Sequence, residues 1–222
     1  MKLLLCGIDH FFETRPDKVD TIVIENQQLY YRVIRDLYEQ MNGNEGKSVL
    51  SEQNKILPMD KNLELINSFV PFEVNKKNLQ NKVIAQITER AAIGTEYYET
   101  MELMSQLEKI LWNLTNDMKG DIVFEKLSFE SIVKAIGVAF SEEYDSLGEK
   151  VIDYFELVTE FDRKKLFVTN NLRCYLSDKE TSLFLDTVLA QGYHLVMIEG
   201  TEHPLLPLEA RFIVDSALCE IG

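Results

Sequence analysis

The stretch spanning residues 164–199 constrains the fold more than any other part of the chain. Lys165-Leu166-Phe167-Val168-Thr169-Asn170 is a short β-favouring run that reads as a buried strand. Ser177 followed three residues later by Glu180 is a capping box, and Leu183, Phe184, Val188 and Leu189 recur on one helical face behind it. Gly192 stops that helix, and residues 195–198 form a second apolar run. A strand, a crossover helix and a strand of these lengths make a right-handed parallel βαβ unit. The chain therefore reads as α/β with a parallel sheet.

Around this unit the same signals recur. Residues 3–8, 21–25 and 211–215 read as strands. Residues 26–41 read as a helix with Tyr30, Val33, Ile34, Leu37 and Met41 on one side, ended by Asn42-Gly43-Asn44. Asn75 is placed as the N-cap of a helix whose apolar stripe is Leu79, Val83, Ile84, Ile87 and Ala91, broken at Gly94. Thr95 caps the next helix, in which Met104, Leu107, Leu111, Leu114 and Met118 form a heptad seam. The pair predicts an αα-hairpin that packs on itself or on another subunit, although a core helix of a single chain has the same spacing. Residues 121–125 read as a short strand, residues 128–137 as a helix opened by Ser128, and residues 145–161 as another helix. No Pro/Gly/Ser linker or repeat divides the sequence. The expected organisation is an α/β core of residues 1–74 and 120–222 with a helical hairpin, residues 75–119, inserted in it.

The chain has 222 residues, 45% of them hydrophobic and 27% charged, which suits a globular protein with its own core. The first residues carry one cation and a brief apolar run, with Asp9, Glu13 and Asp17 close behind and no small-residue cleavage site. They read as a strand, and the expected location is cytoplasmic, without a membrane partner. Cys6, Cys174 and Cys219 are scattered and form no C-x-x-C pair, so neither a disulfide framework nor a zinc site is indicated. A net charge of −14 argues against a uniformly basic surface. It does not exclude nucleic acid, because affinity depends on how many phosphates meet Lys or Arg locally.

Ligands of open parallel sheets gather beyond the carboxyl ends of the strands, which points to Asn170, Asn171, Glu199 and Glu202. Gly46-Lys47-Ser48 ends like a Walker loop, but Met41 stands where that motif needs its first glycine, and a helix precedes it where a strand should. A nucleoside-triphosphatase working through Lys47 and Glu199 is one alternative this leaves, and a pure protein-interaction subunit whose heptad helix docks a partner is another. His10, His194 and His203 show no i, i+4 pairing or H-E-x-x-H, so a catalytic zinc is not expected. Lys76 and Lys77 sit where the helix macrodipole disfavours cations, and with Lys82 and Lys134 they are candidate phosphate contacts; from sequence alone a solvated face is the more ordinary explanation. Asp117, Asp121, Glu125, Glu142, Glu143 and Asp145 supply the hard oxygens calcium takes, without EF-hand spacing.

Taken in order, Pro71-Phe72-Glu73-Val74-Asn75-Lys76-Lys77, Val133-Lys134-Ala135-Ile136-Gly137-Val138, Lys164 to Asn171 and Tyr175-Leu176-Ser177-Asp178-Lys179-Glu180 resemble the short-form accessory adaptation protein of type II-A CRISPR systems. Thr21 to Glu25 and the helix after them fit the same pattern. The resemblance runs from about Thr21 to Asp215 and rests on element order and length. It implies a homotetrameric ring, each subunit an α/β core resembling a P-loop-like nucleotide-binding fold without a working phosphate loop or ATPase activity, plus an α-helical extension. It further implies binding of linear double-stranded DNA ends, calcium-dependent assembly, and cooperation with the CRISPR integrase complex and the RNA-guided effector nuclease in acquiring spacers. On this reading Lys76, Lys77, Lys82 and Lys134 contact DNA, while Asp117, Asp121, Glu125 and Glu143 hold calcium. The stretch before Ser128 departs from the family's dense acidity, because Lys119, Gly120 and Lys126 interrupt it.

Overall fold

The computed structural model describes residues 1–222 and divides into two compact units, Met1–Val74 with Glu142–Gly222, and Asn75–Ser141. In the first unit β1 (Lys2–Leu4), β2 (Phe11–Glu13), β4 (Val49–Glu52) and β5 (Lys55–Leu57) form a small antiparallel sheet in the order β2-β1-β4-β5. The larger sheet has the order β10-β9-β3-β8-β7-β6, from β3 (Val19–Ile24), β6 (Leu63–Ile66), β7 (Leu166–Asn170), β8 (His194–Glu199), β9 (Glu209–Val214) and β10 (Glu220–Ile221). All its pairs are parallel except β9 with β10.

The βαβ unit read from residues 164–199 is present. Helix α7 (Asp178–Ala190) connects β7 to β8 and opens with the reciprocal Ser177/Glu180 box. Strand alternation divides the apolar payload between two faces. Val168, Val196 and Ile198 join Leu29, Val33 and Leu37 of α1 (Gln27–Met41) and the inner side of the small sheet in one core. On the other face Phe167 stacks on Phe155 of α6 (Leu147–Leu157) at 3.9 Å between ring centroids, with Phe184 of α7 edge-on to Phe155. The result is the α/β fold with a mostly parallel sheet expected from the sequence, with packed layers on both faces of that sheet.

The second unit is helical: α3 (Lys77–Ile93), α4 (Tyr97–Thr115) and α5 (Phe129–Ile136). It begins where the insertion was expected and continues past residue 119 to Ser141, because α5 packs on α3 and the chain closes on itself at Phe140. Asn75 makes that closure. Its side-chain amide donates to the Phe140 carbonyl at 3.0 Å and accepts from the Phe140 N–H at 2.7 Å, the pair of bonds a neighbouring strand would make. Its side chain is thus engaged elsewhere, and Lys76 occupies the cap position assigned to Asn75. The next start also shifts: Glu96, not Thr95, occupies the position before α4, and its side chain makes no capping bond. Residues 121–125 are not a strand. Val123 is 84% exposed, no neighbouring strand takes up their backbone groups, and Phe124 packs edge-on against Trp112 instead.

Candidate functional site

The crevice beyond the carboxyl ends of β3, β6, β7 and β8 is where an α/β sheet presents side chains to a ligand. A phosphate loop would occupy the turn after β3. Here that turn is two residues, Glu25 and Asn26, and the Asn26 carboxamide caps α1 by accepting the Leu29 N–H at 3.0 Å. The space beside it holds a polar lattice in place of glycines. The Tyr30 hydroxyl donates to Asn170 Oδ1, the Asn170 amide donates to Asn67 Oδ1 at 2.5 Å, and Asn171 Oδ1 accepts the Gly200 N–H at 2.8 Å. Burial, and then the nearby Glu199 charge, pushes the Tyr30 phenol well above its ordinary range, which keeps it a donor. A cleft of about 560 Å³ lies over this lattice, walled by Tyr30, Tyr31, Ile34, Arg35, Tyr38 and Glu39 of α1 with Asn67 and Asn170.

Gly46-Lys47-Ser48 lies elsewhere, in the turn between α1 and β4. Both backbone N–H groups a phosphate would use are engaged by one carboxylate: Asp36 accepts from Lys47 N at 2.8 Å and Ser48 N at 2.9 Å, and from the Gln40 amide at 2.9 Å. Burial alone would raise the Asp36 carboxyl, but the bonds from Ser48, Lys47 and Gln40 outweigh it and hold the group below the usual range. Its stabilisation is therefore complete above the ordinary carboxylate pKa and lost as pH falls through its own, lower value. Asp36→Asn is expected to cost about 1 kcal/mol at neutral pH after allowing for partial exposure. Urea unfolding from neutral to acid pH checks this: the gap to the unmodified chain should close on acidification, and a gap that persists would mean the loop is held by something else.

Glu199, the last residue of β8, is fully buried. Its Oε1 accepts the Arg173 N–H at 3.2 Å, while Oε2 has no hydrogen-bond partner. Burial pushes its carboxyl up to about 7, partly offset by the backbone N–H and the charge of Arg173. The Arg173 guanidinium, also buried, is committed to Glu209, with Nη1 3.1 Å from both carboxylate oxygens, and to Asp178 at 2.6 Å. Cys174 and His203 stand against Glu199, and the three offer ligand atoms all within 4.8 Å of one another. The Cys174 thiol is raised by burial and by Glu199; the His203 imidazole is lowered by burial and by Arg173, so it is neutral at physiological pH.

The candidate DNA cations belong to the helical unit. Lys76 occupies the position before α3 without a capping bond, Lys77 is the helix's first residue and Lys82 is exposed further along; no acidic residue lies in that first turn. Lys134 of α5 is exposed and paired with Glu130 at 2.5 Å. Of the candidate calcium ligands, Asp117, Asp121 and Glu125 are exposed in the segment after α4, whereas Glu143 is exposed in the other unit. Asp117, Asp121 and Glu125 do not converge into a three-ligand cluster; the one grouping that does is Cys174, Glu199 and His203. The carboxylates have the chemistry calcium takes, and within a single chain they do not come together around one point.

Fold and site thus define an α/β protein with a mostly parallel sheet, a polar crevice beyond its strand ends and a separate helical unit. Over residues 40–218 the chain matches the sequence profile of the family described as CRISPR-associated protein (Cas_Csn2), and it belongs to that family. It is 19% identical over 187 residues to the CRISPR-associated protein Csn2 of Enterococcus faecalis, covering 82% of this chain and 83% of that one. The Csn2 of Streptococcus agalactiae is likewise 19% identical over 208 residues, 90% of this chain and 89% of that one. Among solved structures, an ABC-transporter ATP-binding protein from Pyrococcus furiosus aligns over 95% of this chain and 97% of its own, with 11% identity and a TM-score of 0.36. No helix is long and apolar enough to cross a membrane.

Proposed function

We propose that this CRISPR-associated protein is a non-catalytic binder of linear double-stranded DNA ends. It acts as a calcium-stabilised homotetrameric ring beside the integrase complex and the RNA-guided effector nuclease during spacer acquisition. The observation that most supports the reading is α4, which carries an apolar stripe over nineteen residues yet has no buried residue within its own chain. A helix of that composition calls for a partner surface. Contact with phosphate is supported by the start of α3, where Lys76 and Lys77 stand beside the N-terminal helix N–H groups. The absence of turnover is supported by the crevice, where Asn67, Asn170 and Tyr30 are bonded to one another beside a two-residue turn with no phosphate loop, and by Asp36, which occupies the amides of Lys47 and Ser48.

Sizing chromatography with calcium, with chelator and with linear or closed circular duplex tests the reading. The expected outcome is a four-chain species in calcium, dissociation on chelation, and retention of linear duplex only. Equal retention of circular duplex would rule out threading onto an end. Lys76→Ala with Lys77→Ala should weaken binding evenly across sequences and flatten the dependence of log affinity on log salt by about 0.9 for every phosphate no longer neutralised. An unchanged salt slope would remove these lysines from the interface. Magnesium-dependent hydrolysis that disappears in Lys47→Ala would overturn the non-catalytic part.

A further inference from the structure

We propose that Cys174, Glu199 and His203 form a binding site for a zinc-type divalent cation, separate from any calcium. The three residues come from the turn after β7, the end of β8 and the loop leading to β9. They meet beyond the carboxyl ends of two adjacent central strands, where this fold class presents ligands.

Two independent observations carry the site. The first is the donor set: a thiol, an imidazole and a carboxylate whose ligand atoms lie within 4.8 Å of one another. Such a set suits a borderline cation such as zinc, not calcium, which takes oxygens alone. The second is Glu199 Oε2. This oxygen is completely buried, accepts no hydrogen bond, and lies 3.9 Å from the Nε2 of His203. A buried carboxylate oxygen without a donor is costly, and a cation at this point would satisfy it.

The surroundings favour positive charge. Arg173 and Arg211 are the nearby cations, but Glu209 and Asp178 engage the first and Glu202 the second. With Glu199, four carboxylates face two guanidinium groups. Thr201 Oγ1, 3.5 Å from His203 Nε2, is the other polar group on that ring nitrogen and is displaced when the nitrogen turns to a metal. Zinc–ligand bonds place ligand atoms about 3.3–3.8 Å apart in a tetrahedron, so the site closes by about 1 Å. The exposed Cys174 and the loop bearing His203 can make that movement while Glu199 stays fixed. Three protein ligands leave the fourth position to water.

The test uses the full chain, stripped with chelator and titrated with cobalt as a spectroscopic stand-in for zinc. One equivalent should produce tetrahedral ligand-field bands and a thiolate-to-cobalt charge-transfer band, both abolished by zinc and untouched by calcium. Cys174→Ser should eliminate the charge-transfer band, and His203→Gln should weaken zinc at least tenfold in competition with a chromophoric chelator. Cys219→Ser, which alters an exposed thiol elsewhere, should leave both readings in place. Circular dichroism of each variant verifies folding, and neither tested ligand is part of the core. The proposal is overturned by a full chain that gives no charge-transfer band, by a Cys174→Ser chain that keeps it, or by displacement of cobalt with calcium.

Discussion

Replacing Leu103 and Ile110 by aspartate is expected to leave the chain folded and to abolish its assembly. These residues and Leu114 lie on one line along α4, seven and four residues apart, and are 52%, 53% and 65% exposed. Of the heptad seam read from the sequence, Met104, Leu107 and Leu111 are half-buried inside the helical unit, whereas Leu114 and Met118 are exposed, Leu114 on the outer line. The helix therefore has two apolar lines, and its own chain covers only the inner one. Each apolar side chain buried at a contact contributes about 1.5–3 kcal/mol, and an aspartate in its place adds a desolvation cost of several kcal/mol. Every subunit of a ring carries the change, so the effect is multiplied. Folding should shift by no more than about 0.5 kcal/mol, since neither side chain is part of a buried core. Light scattering should report a single chain, and retention of linear duplex should vanish with the assembly. Leu111→Asp is the contrasting case, because it strikes the inner line and should lower the melting temperature. An assembly that survives Leu103→Asp with Ile110→Asp would remove α4 from the subunit interface.

What was legible in the sequence followed from local chemistry. The Ser177/Glu180 box and the apolar run before Asn170 each specify their element within a few residues, and each is where the sequence placed it. The small sheet was not legible. The turn joining β4 to β5 runs through Gln53 and Asn54 with φ of 49° and 61°, a hairpin geometry ordinarily announced by Asn-Gly. Strand β6 was hidden for another reason: its Glu64 is buried and accepts from the Tyr154 hydroxyl, so a charged residue in a core strand makes sense only when a partner 90 residues away is known.

The same distinction runs through the site. Glu199 could be named because strand ends are readable, yet Cys174 and His203 could not be joined to it, since the turn after β7 and the loop before β9 fold across sequence gaps that carry no spacing signal. The lysines were visible as charges, whereas the Glu130 partner of Lys134 lies one helical turn back and reduces what that cation can offer a phosphate. The stretch 121–125 misled because an apolar run alone does not provide the neighbouring strand that would pair it.

Arg173→Met is expected to be the most damaging single substitution to stability. The Arg173 side chain is 1% exposed and that of Glu209 0%, so the pair lies out of water. Three other parts of the fold meet at this guanidinium: β9 through Glu209, the first turn of α7 through Asp178, and the loop before β9 through the Pro204 carbonyl at 2.9 Å. Methionine matches the length of the stem and removes the charge, leaving Glu209 with only Thr21 Oγ1 at 3.1 Å and the Leu206 N–H at 2.9 Å. A buried carboxylate stripped of its cation costs about 3–5 kcal/mol, a large share of the 5–15 kcal/mol that holds a typical domain together. Glu209→Gln added to Arg173→Met should recover much of that stability, because a neutral amide keeps the shape and the bonds to Thr21 and Leu206 without the stranded charge. Urea midpoints of the single and double variants measure this directly. Lys2→Ala, which breaks an exposed 3.6 Å pair with Glu13, should leave the midpoint unmoved. If Arg173→Met were no worse than Lys2→Ala, the buried pair would not be what joins β9 to α7. Recovery in the double variant would show that the penalty resides in the unpaired carboxylate, not in poorer packing around the stem.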